Sequence, residues 1–313
     1  MSDIPLISVV LPVYNSAPYI AKAVESILAQ TFTDFELIIV NDGSTDGTEA
    51  ILRKFEKQDS RIRLISRPNT GYIIALNEAL GLARGELVAR MDGDDISLPR
   101  RFERQVAFLR EHPDVNVVGG RVEIIDSSGR LILRPETPLH DAELQAALLE
   151  GRNVMGHPSI MARRQAIVDC GGYDGATWPA EDLDLWLRMG ERGKLACVPQ
   201  FVLRYREHEK SISALQHERQ LVKAREACQR AWARRGINGR LAPINASRPV
   251  ETASSRYDYA VRCGWWAFNC AQRTTAIHYA IRAIRLGFLR EPGWKLLACA
   301  LLKPMPQIEV AAQ

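Results

Sequence analysis

Short runs of aliphatic residues alternate with helical patterns along the first 120 residues, and this rhythm constrains the fold more than any other feature. LISVVLPV and FELIIVND are typical of buried strands, and PYIAKAVESILAQ predicts a helix between them. Two further strand and helix pairs follow, and the last consists of ELVARMD and LPRRFERQVAFLREH. Strands that alternate with helices form a parallel sheet covered by helices on both faces. The sequence therefore predicts an α/β fold.

The rhythm changes after residue 114 and again after residue 213. VNVVGG, RVEIID and RLILRP indicate strands without intervening helices, so this part is expected to be mixed. From residue 214 the pattern is helical. Residues 216–313 hold 16 Lys and Arg against 6 Asp and Glu, whereas the rest of the chain holds 25 against 31. We therefore expect an α/β domain over residues 1–213 and a basic helical region over residues 214–313.

Aromatic and basic residues are mixed in the last predicted helices, around CGWWAFNC and GWKLL. Such helices either bind an anionic membrane surface or pack on the α/β domain with a solvated basic face. No nucleic-acid recognition motif accompanies the charge, so nucleic acid is not an expected partner. We see no signal-peptide pattern, no apolar run of spanning length and no CxxC among the six cysteines. We expect a cytoplasmic protein, either free or peripheral on the inner face of the cytoplasmic membrane.

Polar residues follow three of the predicted strands, in PVYN, NDGSTDGT and DGDD. In open α/β sheets, ligands bind beyond the carboxyl ends of the strands, so these clusters are expected to meet in one crevice. Asp92 and Asp94 flank a glycine that allows a tight bend, and their hard oxygens suit Mg²⁺ or Mn²⁺. Asp42 can accept a hydrogen bond from a nucleotide base, and Tyr14 can stack on one. Each feature also has a purely structural alternative. DGDD could be a solvated acidic turn, NDGSTDGT could be a Gly-Ser turn, and Tyr14 could be a core aromatic residue.

Two later motifs add a candidate base and a candidate metal contact. In AEDLDLWLRMGERG, three carboxylates lie in the first turns of a predicted helix, where the helix dipole favours negative charge. Asp184 suits that structural role, whereas a neighbouring carboxylate that faces a pocket can act as a general base. In YREH, His208 is either a solvated residue at a strand end or, beside the acidic cluster, a contact for metal or diphosphate.

Taken in order, these motifs resemble those of the family-2 glycosyltransferases, over about residues 7–213. The matching segments include SVVLPVYN, VNDGSTDGT, NTG, ARGELVARMDGDDISLPRR, AEDLDLWLR and YREHEKSIS. Each motif is short, and the ordered set carries the resemblance. The sequence is similar to bacterial enzymes that build surface polysaccharides. The resemblance implies the GT-A fold, which is Rossmann-like with a mostly parallel central sheet and helices on both faces, followed here by a C-terminal helical extension.

The resemblance also implies roles for individual residues. Asp182 would be the catalytic base, and Asp94 and His208 would hold a divalent metal, Mn²⁺ or Mg²⁺, beside the donor diphosphate. Glu181 would position the acceptor together with Trp186, whose place in a run of spaced apolar residues also suits burial. The residues that would bind the nucleotide sugar are Pro12, Tyr14, Asn15, Asp42, Asn69, Gly71, Asp92 and Arg206.

The implied reaction is transfer of a sugar from a nucleotide-sugar donor, with a UDP-sugar expected, to a hydroxyl of a glycan or a lipid-linked glycan. One base opposite one metal implies a single displacement with inversion, in cell-surface polysaccharide synthesis. One alternative is a sugar nucleotidyltransferase, although the Gly-rich loop of those enzymes is replaced here by PVYNSAP. The other is a catalytically silent module that binds a sugar or a partner, which the intact Asp94, Asp182 and His208 argue against.

Overall fold

Strands and helices were assigned on a computed structural model, which describes residues 4–208, 211, 215–242 and 253–306. The strands are β1 (Ile7–Val13), β2 (Phe35–Asp42), β3 (Ile62–Arg67), β4 (Leu87–Arg90), β5 (Ile96–Ser97), β6 (Val115–Ile125), β7 (Leu131–Leu133), β8 (Met161–Arg163) and β9 (Lys194–Arg206). The helices are α1 (Ile20–Leu28), α2 (Thr48–Gln58), α3 (Tyr72–Leu82), α4 (Arg101–Glu111), α5 (Asp141–Leu149), α6 (Arg164–Asp169), α7 (Glu181–Met189), α8 (His217–Arg235), α9 (Ala253–Asn269), α10 (Arg273–Leu286) and α11 (Glu291–Leu302).

The strands form one mixed sheet in the order β3-β2-β1-β4-β8-β6-β9-β5, with β7 paired to β6. The four strands β3, β2, β1 and β4 are parallel to their neighbours, and β8 is antiparallel to both β4 and β6. Register aligns Val13 with Asn41 and Val10 with Arg90, so β1, β2 and β4 end at the same edge. The polar clusters that follow these strands therefore share one edge of the sheet, and the α/β prediction is confirmed.

Alternating residues of the central strands enter two separate cores, which explains why these strands are apolar throughout. Val10 packs into the first core, whereas Val9 and Leu11 pack into the second core on the opposite face of the sheet. Helix α1 covers the second core with Ile20 and Val24, which lie four residues apart on one face, as its sequence predicts. A strand buried on both faces cannot alternate apolar with polar residues, so LISVVLPV reads as a continuous apolar run.

Two compact units make up the chain. The first unit comprises Met1–Val122, Glu136–Tyr205 and Leu215–Ala242, and the second comprises Glu123–Pro135, Arg206–Ala214 and Pro243–Gln313. The expected division at residue 213 stays a prediction.

Helices α9, α10 and α11 pack together in the second unit. Gly264 of α9 lies so close to α11 that an added Cβ would stand 2.3 Å from Leu296 Cδ2, so a larger residue at this crossing would force the Leu296 side chain to move. Tyr257 and Tyr279 fill the core between α9, α10 and β7. Among the described residues, none of the helices combines the length and the apolar character needed to cross a membrane.

Candidate active site

The loops after β1 and β2 are tied together by side chains of both motifs. Asn15 has a φ of 50°. Its backbone N–H donates to Ser44 Oγ at 2.9 Å, and its side-chain Oδ1 accepts from the Thr45 backbone N–H at 2.8 Å. Pro12 lies in the buried part of β1, and Tyr14 beside it is 52 % exposed. Asn15 therefore shapes this corner of the site, and the Tyr14 ring is available to a planar ligand.

Asp42 holds the loop that leads into α3. Its carboxylate is 3 % exposed and accepts from the backbone amides of Thr70 and Gly71, each at 2.9 Å. The same carboxylate bonds to Arg67, which also bonds to Glu78. Asp42 and Gly71, which the sequence analysis assigned to one pocket, are thus in direct contact, and Arg67 is a member that the sequence analysis missed.

Glycine is required at position 43 in the same corner. Gly43 has a φ of +75°, and an added Cβ would stand 2.6 Å from the Asn69 backbone nitrogen. Because both the torsion and the contact exclude a side chain, Gly43 lets the Asn69 loop lie directly against the end of β2.

Asp92, Asp94 and Asp95 form an acidic cluster after β4, and one carboxylate oxygen of each lies within 4.8 Å of the others. Asp95 is 1 % exposed, whereas Asp92 and Asp94 are partly exposed. Burial raises the pKa of Asp92 to about 6, with Asp94 and Asp182 also raising it and Arg90 lowering it. The cluster therefore has the oxygen donors and the charge density that a hard divalent cation requires.

Arg90 supplies a positive charge inside this cluster and was missed by the sequence analysis. It is 3 % exposed at the end of β4, and its guanidinium donates to the carboxylate of Asp92 and to the hydroxyl of Tyr72. Its Nε is buried without a hydrogen-bond partner. A charged residue that ends a fully buried strand two positions before an aspartate is the sequence signal that could have found it.

Glu181 and Asp182 begin α7 and share this electrostatic environment. Glu181 is 7 % exposed, and its Oε2 is buried without a hydrogen-bond partner. Burial and the adjacent Asp182 raise the pKa of Glu181 to about 8. Burial and the unpartnered Oε2 therefore favour the protonated form of Glu181 near neutral pH.

Asp182 is held by two hydrogen bonds. Its Oδ1 accepts from the Leu183 amide at 2.7 Å, and its Oδ2 accepts from Asn153 Nδ2 at 2.6 Å. Burial raises the pKa of Asp182, whereas these two hydrogen bonds lower it. The result is a positioned carboxylate with a raised pKa, which suits a general base. Asn153, from the loop after α5, is a third residue that the sequence analysis missed.

The structure corrects the expectation for Trp186. Its side chain is fully buried in the first core, beside the ring of His157 at 5.8 Å, so it cannot contact an acceptor. The reason is helical periodicity, since Trp186 follows Leu183 by one turn and shares its inward face. His157 in turn bonds to the Tyr173 hydroxyl at 2.9 Å, and burial lowers its pKa well below the usual value.

Asp184 has the structural role that its helix position indicated. It forms ion pairs with Arg188 at 2.7 Å and with Arg230 of α8 at 3.2 Å. The pair with Arg230 connects α7 to α8, so Asp184 fastens the helix that carries Asp182.

Arg206 and His208 belong to the second unit. Arg206 is buried, and its guanidinium donates to the backbone oxygens of Asp126 and Ser127 at 3.0 and 3.3 Å. His208 is partly exposed, and its backbone oxygen accepts from the Ser211 amide at 3.1 Å. Arg206 thus supports the turn after β6, and the expected contacts of both residues with diphosphate or metal stay predictions.

Sequence comparison identifies relatives among glycosyltransferases. The profile of glycosyl transferase family 2 matches residues 8–172. The chain is 38 % identical over 199 residues to the Bacillus subtilis protein EpsE, covering 62 % of this chain and 69 % of EpsE. It is 32 % identical over 210 residues to the O-antigen biosynthesis glycosyltransferase WbnJ of Escherichia coli, covering 66 % of this chain and 81 % of WbnJ.

Solved structures agree on the fold. S. aureus TarS 1-349, in complex with UDP-GlcNAc, matches 94 % of this chain and 79 % of its own with a TM-score of 0.55 at 18 % identity. The mannosyltransferase PcManGT of Pyrobaculum calidifontis, in complex with GDP-Man and Mn²⁺, matches 96 % of this chain and 80 % of its own with a TM-score of 0.56 at 19 % identity. These likenesses confirm the predicted GT-A fold, and the match over more than half of the sequence shows that the chain belongs to glycosyl transferase family 2.

Proposed function

We propose that this glycosyltransferase moves a sugar from a UDP-sugar to a hydroxyl of a glycan or lipid-linked glycan during synthesis of a cell-surface polysaccharide. The observation that carries the proposal is the electrostatic interaction between Asp182 and the acidic cluster. Asp182 is held by hydrogen bonds and has a raised pKa, and its charge raises the pKa of Asp92. The O-antigen role in the name of WbnJ supports the polysaccharide assignment, and the UDP-GlcNAc complex of TarS supports a UDP-sugar donor.

In the proposed reaction, Asp182 takes the proton of the acceptor hydroxyl as that oxygen attacks the anomeric carbon. The new bond joins the acceptor oxygen to the anomeric carbon, and the bond from that carbon to the diphosphate oxygen breaks. The nucleoside diphosphate leaves with the electron pair. Because Asp182 serves attack from one side and the diphosphate departs on the other, the step is a single displacement that inverts the anomeric configuration.

The acidic cluster fits a divalent cation by the chemistry of its donors, since three hard carboxylates lie within 4.8 Å of one another. Asp94 would hold the ion, and we keep His208 as the proposed second ligand. When bound, Mn²⁺ or Mg²⁺ would offset the negative charge that develops on the leaving diphosphate. Asp92 is bonded to Arg90, which commits part of its carboxylate to the protein and leaves its other acceptor sites for the donor.

The base of the donor would lie against Tyr14 and the loop held by Asp42. An exposed aromatic ring can stack on a base for about 1–3 kcal/mol. Oδ1 of Asp42 accepts from both Thr70 and Arg67, whereas Oδ2 accepts from the Gly71 amide and has a second lone pair, so Oδ2 can also accept from a base N–H. Asn69 and Gly71 would form the opposite wall of this pocket. Pro12 and Asn15 support it, and Arg206 is retained as a proposed diphosphate contact.

The rival functions have less support. A sugar nucleotidyltransferase requires a Gly-rich loop after the first strand, where this chain has a loop tied by Asn15 to Ser44. A silent binding module has no need for a carboxylate whose pKa is raised by burial at Asp182.

The proposed site of action is the inner face of the cytoplasmic membrane, where lipid-linked glycans are assembled. The second unit is the part of the chain that we propose to contact an anionic membrane, because its segment over residues 243–313 holds nine Lys and Arg against four Asp and Glu.

The proposal is tested with a panel of UDP-, GDP-, ADP- and dTDP-sugars added to the full chain with Mn²⁺. We expect a UDP-sugar to raise the melting temperature most, and the same sugar to release UDP when an acceptor glycan is present. NMR of the product should show inverted anomeric configuration. Release of pyrophosphate instead of nucleoside diphosphate would establish the nucleotidyltransferase alternative, and a retained configuration would exclude the single displacement.

A further inference from the structure

The turn between α10 and α11 exposes an unusual set of large apolar side chains. Leu289 is 95 % exposed, Phe288 66 %, Trp294 43 % and Leu286 38 %. The Phe288 and Trp294 rings pack edge to face with their centroids 5.4 Å apart, and Leu286 and Leu289 lie within two residues of Phe288 in the chain. We call Leu286, Phe288, Leu289 and Trp294 the apolar turn. Contiguous apolar clusters of this kind mark surfaces that bind a partner or a membrane.

Hydrogen bonds hold the apolar turn in place, so its exposure does not come from fraying. Tyr257, 1 % exposed, accepts from the Gly293 amide at 2.9 Å and donates to the Arg290 backbone oxygen at 3.3 Å. Trp294 Nε1 donates to the Phe288 backbone oxygen at 2.8 Å. These three bonds fix the backbone at Phe288, Arg290 and Gly293 and satisfy the indole N–H of Trp294 within the protein.

The apolar surface continues along α11. Ala298 and Leu301 follow Trp294 by four and seven residues, and both are exposed on the same face of the helix. Leu302, 84 % exposed, lies beside Leu301 at the end of the helix. This stripe faces away from Leu296 and Ala300, which are buried in the second unit. Helix α11 thus has two apolar faces, and the packing of the unit uses one of them.

Basic residues border the apolar turn and stripe. Arg282 and Arg285 are exposed on the last turns of α10, and Lys295 and Lys303 are exposed on or just beyond α11. Over residues 281–303 the sequence has five Lys and Arg, including Arg290, against the single acidic residue Glu291. A positive border around an apolar insertion complements a surface that is anionic outside and apolar within.

We propose that the apolar turn inserts into the interface of an anionic lipid bilayer, with Arg285 and Lys295 lying at the level of the phosphates. This inference rests on the proposed function in one respect, since it identifies the surface by which the chain would reach membrane-bound acceptors. Each apolar side chain that leaves water contributes favourably, and each cation near an anionic surface adds to the binding. A second copy of the chain is a poorer occupant, because self-association through this surface would bring the basic borders of both copies together.

The test is flotation of the full chain with vesicles, which requires neither donor nor acceptor. With roughly 30 mol% phosphatidylglycerol in phosphatidylcholine, we expect the chain to float with the vesicles, and with phosphatidylcholine alone we expect at least tenfold less binding. The variant F288S/L289S should bind the anionic vesicles at least tenfold more weakly, and R285Q/K295Q should lose most of the dependence on anionic lipid. The control V222S removes another exposed apolar side chain, 56 % exposed, on α8 of the first unit and should leave binding unchanged.

Three outcomes would overturn the proposal. The first is unchanged binding by F288S/L289S, and the second is equal binding to neutral and anionic vesicles. The third is a concentration-dependent dimer in sedimentation that F288S/L289S abolishes while vesicle binding is absent, which would make the surface a self-association site. Binding of UDP with Mn²⁺ by F288S/L289S, measured by calorimetry, should match that of the wild type. A loss of vesicle binding with donor binding intact therefore separates this inference from the proposed function.

Discussion

The guanidinium of Arg90 bonds to the carboxylate of Asp92, two residues further along the chain. The run of acidic residues after β4 therefore has an internal positive charge. Three neighbouring carboxylates are unfavourable in a partly buried place unless a cation and hydrogen bonds offset their repulsion. Arg90 provides that positive charge for Asp92, so we expect Asp94 to be the main ligand of a divalent ion.

Replacement of Arg90 by methionine should destabilise the fold through Asp92. The change leaves the partly exposed Asp92 carboxylate and the Tyr72 hydroxyl without their guanidinium partner. Breaking a fully buried pair costs about 3–5 kcal/mol, so the loss here should be at most that large. The double variant R90M/D92N removes the uncompensated charge, so its loss should be smaller than the loss of R90M alone. Urea unfolding of the four proteins of this cycle measures the coupling.

Arg100 provides the matched control for that cycle. It also pairs with a nearby acid, Glu103 at 2.8 Å, but both side chains are exposed. R100M should therefore leave the free energy of unfolding within error of wild type. Additive losses in the R90M and D92N cycle would show that the two side chains do not depend on each other.

Asp182→Asn should lower the rate of transfer by about 10²–10⁴-fold while donor binding is retained, because the amide cannot take the acceptor proton. Asp184→Asn changes the same residue type two positions later, where the carboxylate pairs with Arg188 and Arg230. We expect D184N to lower the melting temperature and to keep turnover at temperatures where it is folded. Turnover rates and calorimetry with the donor measure both variants. Turnover by D182N at the wild-type rate would exclude Asp182 as the base.

Asp94→Ala should abolish the Mn²⁺-dependent part of nucleotide binding. Removing this carboxylate takes one hard ligand from the acidic cluster, so the ion would lose much of its hold beside the diphosphate. Titration of UDP with and without Mn²⁺ measures the difference for each protein. D114A, which removes an exposed carboxylate paired with Lys194, serves as the control and should keep the metal dependence. A metal effect of equal size in D94A and wild type would place the ion elsewhere.

Glu181→Gln should make the protein more stable at alkaline pH. The pKa of Glu181 is raised from 4.5 to about 8, so the folded state keeps a proton that the unfolded state loses. The wild-type free energy of unfolding must then fall as pH rises between those two values, by at most about 5 kcal/mol from this group. The glutamine variant lacks this slope. Urea unfolding at pH 5 and pH 8.5 should show a stability gain for E181Q at the higher pH alone.

Glu150→Gln is the control for the pH series, because Glu150 is exposed and paired with Arg152 at 2.7 Å. Its unfolding should follow the wild-type pH dependence. A wild-type slope in E181Q as well would mean that Glu181 is ionised in the folded protein at neutral pH.

Local patterns predicted the fold well because the forces that shape β1 and α1 act over a few residues. A continuous apolar run marks a strand buried on both faces, and apolar residues four apart mark a packed helix. Asp42 and Asp92 were predicted to lie at one edge because parallel strands bring their carboxyl ends to the same edge of a sheet. The register of β1 with β2 and with β4 agrees.

Contacts between distant parts of the chain could not be predicted in this way. Arg90 meets Tyr72 across 18 residues, and Asn153 meets Asp182 across 29, so neither pair leaves a local pattern. Trp186 shows the reverse error, because the resemblance assigned it to the acceptor although its spacing among apolar residues already suited the burial that the structure shows.

Asn153→Ala should change the pH dependence of catalysis in a direction that its contact with Asp182 dictates. The 2.6 Å hydrogen bond from Asn153 lowers the pKa of Asp182, which burial raises. Without the amide the pKa of Asp182 rises, and less of the base is ionised at acidic pH. The acid limb of the kcat/KM profile should therefore move to higher pH, and a shift of one unit gives about tenfold lower activity on that limb. N116A, which removes an amide bonded to the Met189 backbone oxygen at 3.4 Å, should lose activity equally at every pH or not at all. A uniform loss in N153A would mean that Asn153 supports the loop and does not act on Asp182.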